Sequence, residues 1–97
     1  MPDKPDKQAR RAAREKVADY HDEQLAVLVT HVASAIDDHR AGKLDAFEVD
    51  DVIFQYSRAA KELWKFCNLG DVQIAAYTIA EYPPIDWWDQ GAPRKRD

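Results

Sequence analysis

The sequence contains few of the residues that interrupt helices or cross-link chains. It has 3 glycines and 1 cysteine in 97 residues, and its 5 prolines all lie near the two ends. No proline occurs between Asp6 and Pro83, and proline interrupts both helix interiors and central strands. The lone Cys67 has no partner for an internal disulfide. These absences exclude a disulfide scaffold and favour long, uninterrupted helices.

Long apolar runs are also missing. No stretch approaches the roughly 18 apolar residues of a membrane span, and the polar segment from Met1 to Lys16 lacks the apolar region of a signal peptide. Apolar residues make up 45% of the chain and charged residues 33%, which is the balance of a folded domain. We therefore expect one soluble, cytoplasmic domain that does not enter the membrane.

The net charge of −4 is unevenly distributed. Residues 1–16 carry six basic and three acidic side chains, whereas residues 17–90 carry five basic and fourteen acidic ones. Arg10, Arg11 and Arg14 are candidates for contacts with nucleic-acid phosphates. A projecting or frayed, solvated helix end explains the same residues, and the acidic body repels nucleic acid over a Debye length of about 10 Å. We favour the solvated helix end and do not expect nucleic acid as a partner.

Apolar residues at spacings of three and four predict an all-α fold. Three helices are expected at about 7–41, 46–67 and 71–81, with the first two forming a long antiparallel hairpin in a helical domain at 17–82. The third is apolar nearly all round, so it should be largely covered. The expected core stripes are Val17, Leu25, Leu28, Val29, Val32, Ala35 and Ile36 in the first helix, and Val49, Val52, Ile53, Tyr56, Ala59, Ala60, Leu63 and Cys67 in the second, with Trp64 at the margin.

Several aromatic residues do not belong to these stripes. Pro83 and Pro84 end the third helix, and an extended, Trp-rich tail with a basic end is expected over residues 83–97. Either this tail covers the aromatics of the second helix within one chain, or both meet another subunit or partner. The candidate partner-binding residues are Phe47, Phe54, Arg58, Ile85, Trp87 and Trp88.

The segment "DDHRAGKLDAFE" resembles the twelve-residue calcium loop of an EF-hand. Asp37, Gly42, Asp45 and Glu48 occupy loop positions 1, 6, 9 and 12. His39 and Ala41 stand where two oxygen ligands are required, so Asp37, Asp45 and Glu48 remain as candidate metal ligands. Helix ends explain the same residues, because Gly42 suits a helix C-terminus and Asp45 with Glu48 suits a capping box. We favour the helix ends.

The histidines offer a second metal hypothesis. His21 and His39 fall on the apolar stripe of the first helix and His31 at its border, so a dimer could bring them together. No Glu-x-x-His pair of the kind that binds metals in helical bundles is present. We favour partly buried, hydrogen-bonded histidines and expect no cofactor.

Arg14 and His21, with six residues between them, are similar to the Arg-x4–6-His motif of the HEPN ribonuclease family. The resemblance implies a helical dimer with a nuclease site at these residues. It covers only these two positions, and Glu15 fits the polar position after the arginine loosely. For nucleophilic catalysis, Cys67 belongs to the packed face of the second helix and is interpreted as a small apolar residue.

The segment "FEVDDVIFQYSRAAKELWKFC" resembles a family of small uncharacterised actinobacterial helical proteins, over residues from about 20 to 70. That resemblance implies no activity, substrate or site. The leading interpretation is a non-enzymatic interaction or regulatory module that forms a homodimer, because two long helices and a short one make a thin core. A protein partner of unknown identity is compatible with it. The alternatives are a degenerate calcium- or metal-binding protein and a HEPN-like ribonuclease.

Overall fold

The structure is a computed structural model that describes residues 4–93, with side chains described from Lys7 onward. The basic end expected for the tail, residues 94–97, lies outside this range. The described residues contain four helices and no strand, which confirms the all-α prediction. Helix α1 spans Lys4–Arg40, α2 Ala46–Asn68, α3 Val72–Glu81 and α4 Trp87–Gln90. Pro5 is compatible with α1 because an N–H in the first helical turn has no partner within the helix.

The turn between α1 and α2 is closed by hydrogen bonds at both helix ends. Gly42 has φ +78° and its N–H donates to the carbonyl of His39, while the N–H of Lys43 donates to the carbonyl of Asp38. This is the Schellman pattern, in which a left-handed residue satisfies the last carbonyls of a helix. At the start of α2, the Asp45 carboxylate accepts from the N–H of Glu48 at 2.8 Å, and Glu48 accepts from the N–H of Asp45 at 2.9 Å.

Helix α3 follows α2 after a short turn. Gly70 has φ +88°, and the Asp71 carboxylate accepts hydrogen bonds from the N–H groups of Gln73 and Ile74. These bonds satisfy two of the N–H groups that a helix start leaves without partners. Helix α3 packs mainly against α1. The chain leaves the helix at Tyr82, which is extended, and passes through the two prolines without regular secondary structure.

The tail differs from the extended segment that we expected, because Trp87–Gln90 form one helical turn. The Asp86 carboxylate accepts from the N–H of Asp89 at 3.1 Å, and the N–H of Gly91 closes the turn on the carbonyls of Trp87 and Trp88. Burial of Trp87 against α1 and α2 stabilises this turn, which is too short to form alone. Tertiary packing therefore overrides the proline-rich local sequence.

The core is thin. Half of its eight buried apolar residues are alanines, and Leu28 and Leu63 are the only large side chains under 2% exposed in the described part of the chain. The molecule measures 64 × 33 × 19 Å, and its radius of gyration is 17.2 Å, where a compact domain of this length has about 12.5 Å. The buried apolar residues are Ala13, Val17, Leu28, Ala35, Ala59, Leu63, Ala75 and Trp87.

Candidate interaction surface

The C-terminal tail packs within its own chain. Trp87 is 6% exposed, its ring lies 5.4 Å from that of Phe66, and its indole N–H donates to the hydroxyl of Tyr20 at 2.8 Å. Tyr20 and Phe66 also pack together, with ring centroids 5.9 Å apart. Ile85 is half-buried against the same cluster. Trp87 therefore belongs to the core of a single chain.

Trp88 connects the tail to both long helices. Its ring stacks on the imidazole of His31 with centroids 4.0 Å apart and planes 2° from parallel. Its carbonyl accepts from the Gln55 side chain at 2.9 Å, and the carbonyl of Gly91 accepts from the Arg58 guanidinium at 2.7 Å. The tail thus covers one side of the α1–α2 hairpin.

The described part of the tail leaves Phe47 and Phe54 of α2 largely exposed. Phe47 is 82% exposed and Phe54 is 56% exposed, although Pro93 and Phe54 line one shallow hollow beside Arg58. Of the six residues predicted to bind a partner, Phe47, Phe54 and Arg58 are exposed, and Arg58 also donates a hydrogen bond to the tail. Ile85, Trp87 and Trp88 contact other residues of the same chain, and partner binding by the six residues stays a prediction.

The opposite side of the hairpin is apolar, and its central residues are exposed. His31 and Gln55 contact the tail, whereas Val29 and Ile53, each two positions earlier, project from nearly the opposite side of their helices. Val29 is 48% exposed and Ile53 43%. We call this surface the hairpin face. Its members, grouped by helical spacing, are Leu25, Val29, Ala33 and Ile36 of α1 and Val49, Ile53, Ser57, Ala60 and Trp64 of α2.

No member of the hairpin face carries a charge, although 33% of the residues in the chain are charged. Val29 and Ile53 were expected in the core, and the exposed positions that they occupy correct that prediction. The apolar stripe of α1 is wider than the area that its neighbouring helices cover, so its far edge remains exposed. Sequence analysis placed Trp64 at the margin, where it is 50% exposed. A row of uncharged residues at helical spacing is the feature of the sequence that predicts this surface.

The outer side of α3 is also exposed, contrary to expectation. Ile74 is 67% exposed and Tyr77 59%, and the neighbouring Leu69 and Tyr82 are similarly exposed. Helix α3 buries Ala75, but none of the described elements packs on its other side because the tail turns toward α2. An apolar helix is therefore covered on one side only.

The candidate calcium ligands take part in helix ends. Asp45 and Glu48 cap α2, and Asp37 lies 4.0 Å from Arg40 within α1. His39 is exposed and pairs through Nδ1 with the carbonyl of Leu44 at 3.0 Å, although we expected it on the packed stripe. Among the described residues, no group of three or more His, Cys, Asp or Glu side chains is arranged to hold a metal ion.

The basic residues of α1 lie along its exposed start. Arg10, Arg11 and Arg14 are all exposed, and Arg11 forms a loose 3.7 Å ion pair with Glu15. Arg14 and His21 line one shallow hollow together with Asn68, near the turn between α2 and α3. The two residues that resemble the HEPN motif therefore lie on the same side of α1, about two helical turns apart.

Cys67 lies at the same end of the hairpin and is half-buried. Burial raises the pKa of its thiol from 9.0 to about 11. Burial likewise raises the pKa of the Tyr20 hydroxyl above 10.0, although the hydrogen bond from Trp87 acts in the opposite direction. An elevated pKa keeps Cys67 in the unreactive thiol form, which opposes a role as nucleophile.

None of the described helices is both long and apolar enough to cross a membrane. Searches of protein-family models, curated proteins and solved structures found no significant match to the chain.

Proposed function

We propose that this protein is a non-enzymatic helical interaction module that works as a homodimer joined through the hairpin face. The observation that carries the proposal is the absence of charge on that face, beside the exposure of Val29, Ile53 and Trp64. An apolar face on an otherwise highly charged helical pair is typical of a surface that is buried by a partner. Two such hairpins packed face to face make a four-helix bundle.

The accessible surface of the chain supports this proposal. It measures 7464 Å² for a mass of 11.1 kDa. A compact monomer of that mass exposes about 5,700 Å². Part of the excess belongs to the projecting start of α1. An excess of this sign is expected of a chain whose apolar face is covered by a second copy.

Sedimentation equilibrium across a range of protein concentrations tests the proposal. We expect the wild-type mass to approach twice 11.1 kDa at high concentration. Ile53→Lys should shift the protein to the monomer, because it places a charge in the buried face. Ile74→Lys is the matched control, since Ile74 is also an exposed isoleucine but lies on α3. A wild-type mass of 11.1 kDa at every concentration would reject the homodimer.

One further observation favours a second candidate function. Arg14, His21 and Asn68 line one hollow, and an arginine beside a histidine provides charge stabilisation and acid–base groups for RNA cleavage. The acidic body opposes binding of a polyanion. Incubation with single-stranded RNA, with His21→Ala as the control, tests this candidate. Cleavage that depends on His21 would favour the nuclease over the interaction module.

A further inference from the structure

We propose that the second copy binds with its α1 antiparallel to α1 of the first, so that Asp22 of each chain faces the partner's Arg40. The two-fold axis then passes level with residue 31. This inference rests on the proposed homodimer and specifies which helices meet and in which register. It is argued from the charges at the ends of the hairpin face and from the apolar residues between them.

Asp22 and Arg40 mark the two ends of the α1 part of the hairpin face. They are separated by 18 positions, which is five helical turns or about 27 Å, so both project from the same side of α1. Between them the side chains nearest this line are the uncharged Val29, Ala33 and Ile36, with Leu25 at one edge of the stripe. Asp37 lies at the opposite edge, beside Arg40. The stripe therefore has an acidic end, an apolar centre and a basic end.

Such a stripe complements itself only when it is reversed. In an antiparallel pair, the acidic end of each copy meets the basic end of the other at two symmetry-related places. A parallel pair would place Asp22 against the partner's Asp22 and Arg40 against the partner's Arg40. Like charges across an interface are strongly disfavoured, so the parallel arrangement is rejected.

The apolar residues agree with the same register. The midpoint of Asp22 and Arg40 is residue 31, the midpoint of Val29 and Ala33 is also residue 31, and that of Leu25 and Ile36 lies about half a residue away. Each Val29 then faces the smaller side chain of the partner's Ala33. Pairing a large with a small residue lets two helices approach closely.

Both charged side chains are accessible for this contact. Asp22 is exposed, and the Arg40 side chain is 76% exposed. The contact from Arg40 to Asp37 is 4.0 Å long, too loose to hold the guanidinium in place. Within the described residues Asp22 forms no ion pair. The part of α1 that precedes Asp22 would extend past the partner's turn between α1 and α2, and it is not needed for the contact.

Charge reversal tests the register at low salt, where exposed ion pairs are least screened. D22R and R40D should each raise the dimer Kd at least tenfold, because each creates two like-charge contacts. The double variant D22R/R40D should return the Kd to within about threefold of wild type. Glu23→Arg is the matched control, since it makes the same change of net charge one position along α1 but points away from the hairpin face.

The outcomes separate this inference from the proposed function. A wild-type protein that stays monomeric overturns both. A dimer whose Kd responds equally to D22R and Glu23→Arg overturns the register alone, as does a double variant that remains as weak as the singles. In either case Ile53→Lys should still dissociate the dimer, because the hairpin face remains the proposed interface.

Discussion

The indole N–H of Trp87 donates a 2.8 Å hydrogen bond to the hydroxyl of Tyr20, joining residues 67 positions apart in the sequence. This bond holds the tail against α1, and Trp87 fills the centre of the core beside Leu28 and Leu63. The tail is therefore part of the folded domain and contributes to its stability. The hairpin alone would leave that side of its core open.

Truncation of Trp87 should destabilise the monomer strongly. We expect Trp87→Ala to lower the free energy of unfolding by about 3–5 kcal/mol, the usual cost of removing a large buried aromatic. Trp87→Phe keeps most of the packing and should cost about 1–2 kcal/mol through the lost hydrogen bond and smaller ring. Urea unfolding measures both. Phe47→Ala is the control, because Phe47 is 82% exposed and its loss should cost less than about 0.5 kcal/mol.

Trp87→Phe should also raise the pKa of Tyr20. Burial already raises this pKa above 10.0, and the donated hydrogen bond from Trp87 opposes that rise. Removing the donor leaves burial as the main influence. Ultraviolet titration of the tyrosinate band, compared with the wild type, measures the change. A Tyr20 pKa that is the same in both proteins would show that the bond does not form in solution.

Gly91→Ala should displace the tail from α2. A Cβ at residue 91 would lie 2.5 Å from the N of Ala59 and 2.6 Å from the O of Gln55, closer than atoms in van der Waals contact. Since both are backbone atoms, the tail must move and the stack of Trp88 on His31 must separate. We expect an altered tryptophan emission spectrum and a lower Tm.

Gly42→Ala is the comparison for that variant. The space around Gly42 is open, but its φ of +78° strains any residue with a Cβ. It should cost about 1–2 kcal/mol without changing the tryptophan emission spectrum. An identical spectral change in both variants would contradict the close approach at Gly91.

Alkaline pH should destabilise the folded chain. The pKa of Cys67 is raised from 9.0 to about 11, so the folded state holds this proton more tightly than the unfolded state. The resulting stabilisation is fully present below pH 9 and is lost as the pH rises toward 11. The pKa of Tyr20 is also raised in the folded state, so deprotonation of Tyr20 at alkaline pH lowers stability too. Thermal unfolding of the wild type and of Cys67→Ala between pH 8 and 11 measures the cysteine contribution, which the variant lacks.

Thiol reactivity provides an independent check on Cys67. The rate of reaction of Cys67 with a disulfide reagent should be slow at pH 8 and rise until the pH nears 11. In the urea-unfolded chain the rate should level off at a lower pH, because a free thiol has a lower pKa. A fast reaction of the folded protein at pH 8 would show that the thiol is not protected.

Calcium should leave the turn between α1 and α2 unchanged. The carboxylates of Asp45 and Glu48 already accept hydrogen bonds from backbone N–H groups, and two oxygen ligands of a calcium loop are absent. We expect no shift of the amide resonances of residues 37–48 when millimolar calcium is added. Asp45→Ala should instead cost about 1 kcal/mol through loss of the cap. Shifts confined to residues 37–48 would support the calcium loop.

Local sequence signals were sufficient to predict the helices and their ends. The spacing of apolar residues predicted α1, α2 and α3, and Gly42, Asp45 and Asp71 lie at helix termini as expected. These features depend on residues within a few positions of one another, which is the range of helical hydrogen bonds and caps. The same range explains why α4 was missed, since its turn depends on the burial of Trp87.

Tertiary structure alone decided which apolar residues are covered. A stripe at helical spacing shows that a face is apolar, but not how many neighbours pack on it. Only the path of the tail across His31 and Gln55 determined that this side of the hairpin is closed. The other side, with Val29 and Ile53, remains exposed in the described part of the chain because the tail packs on the side of His31 and Gln55.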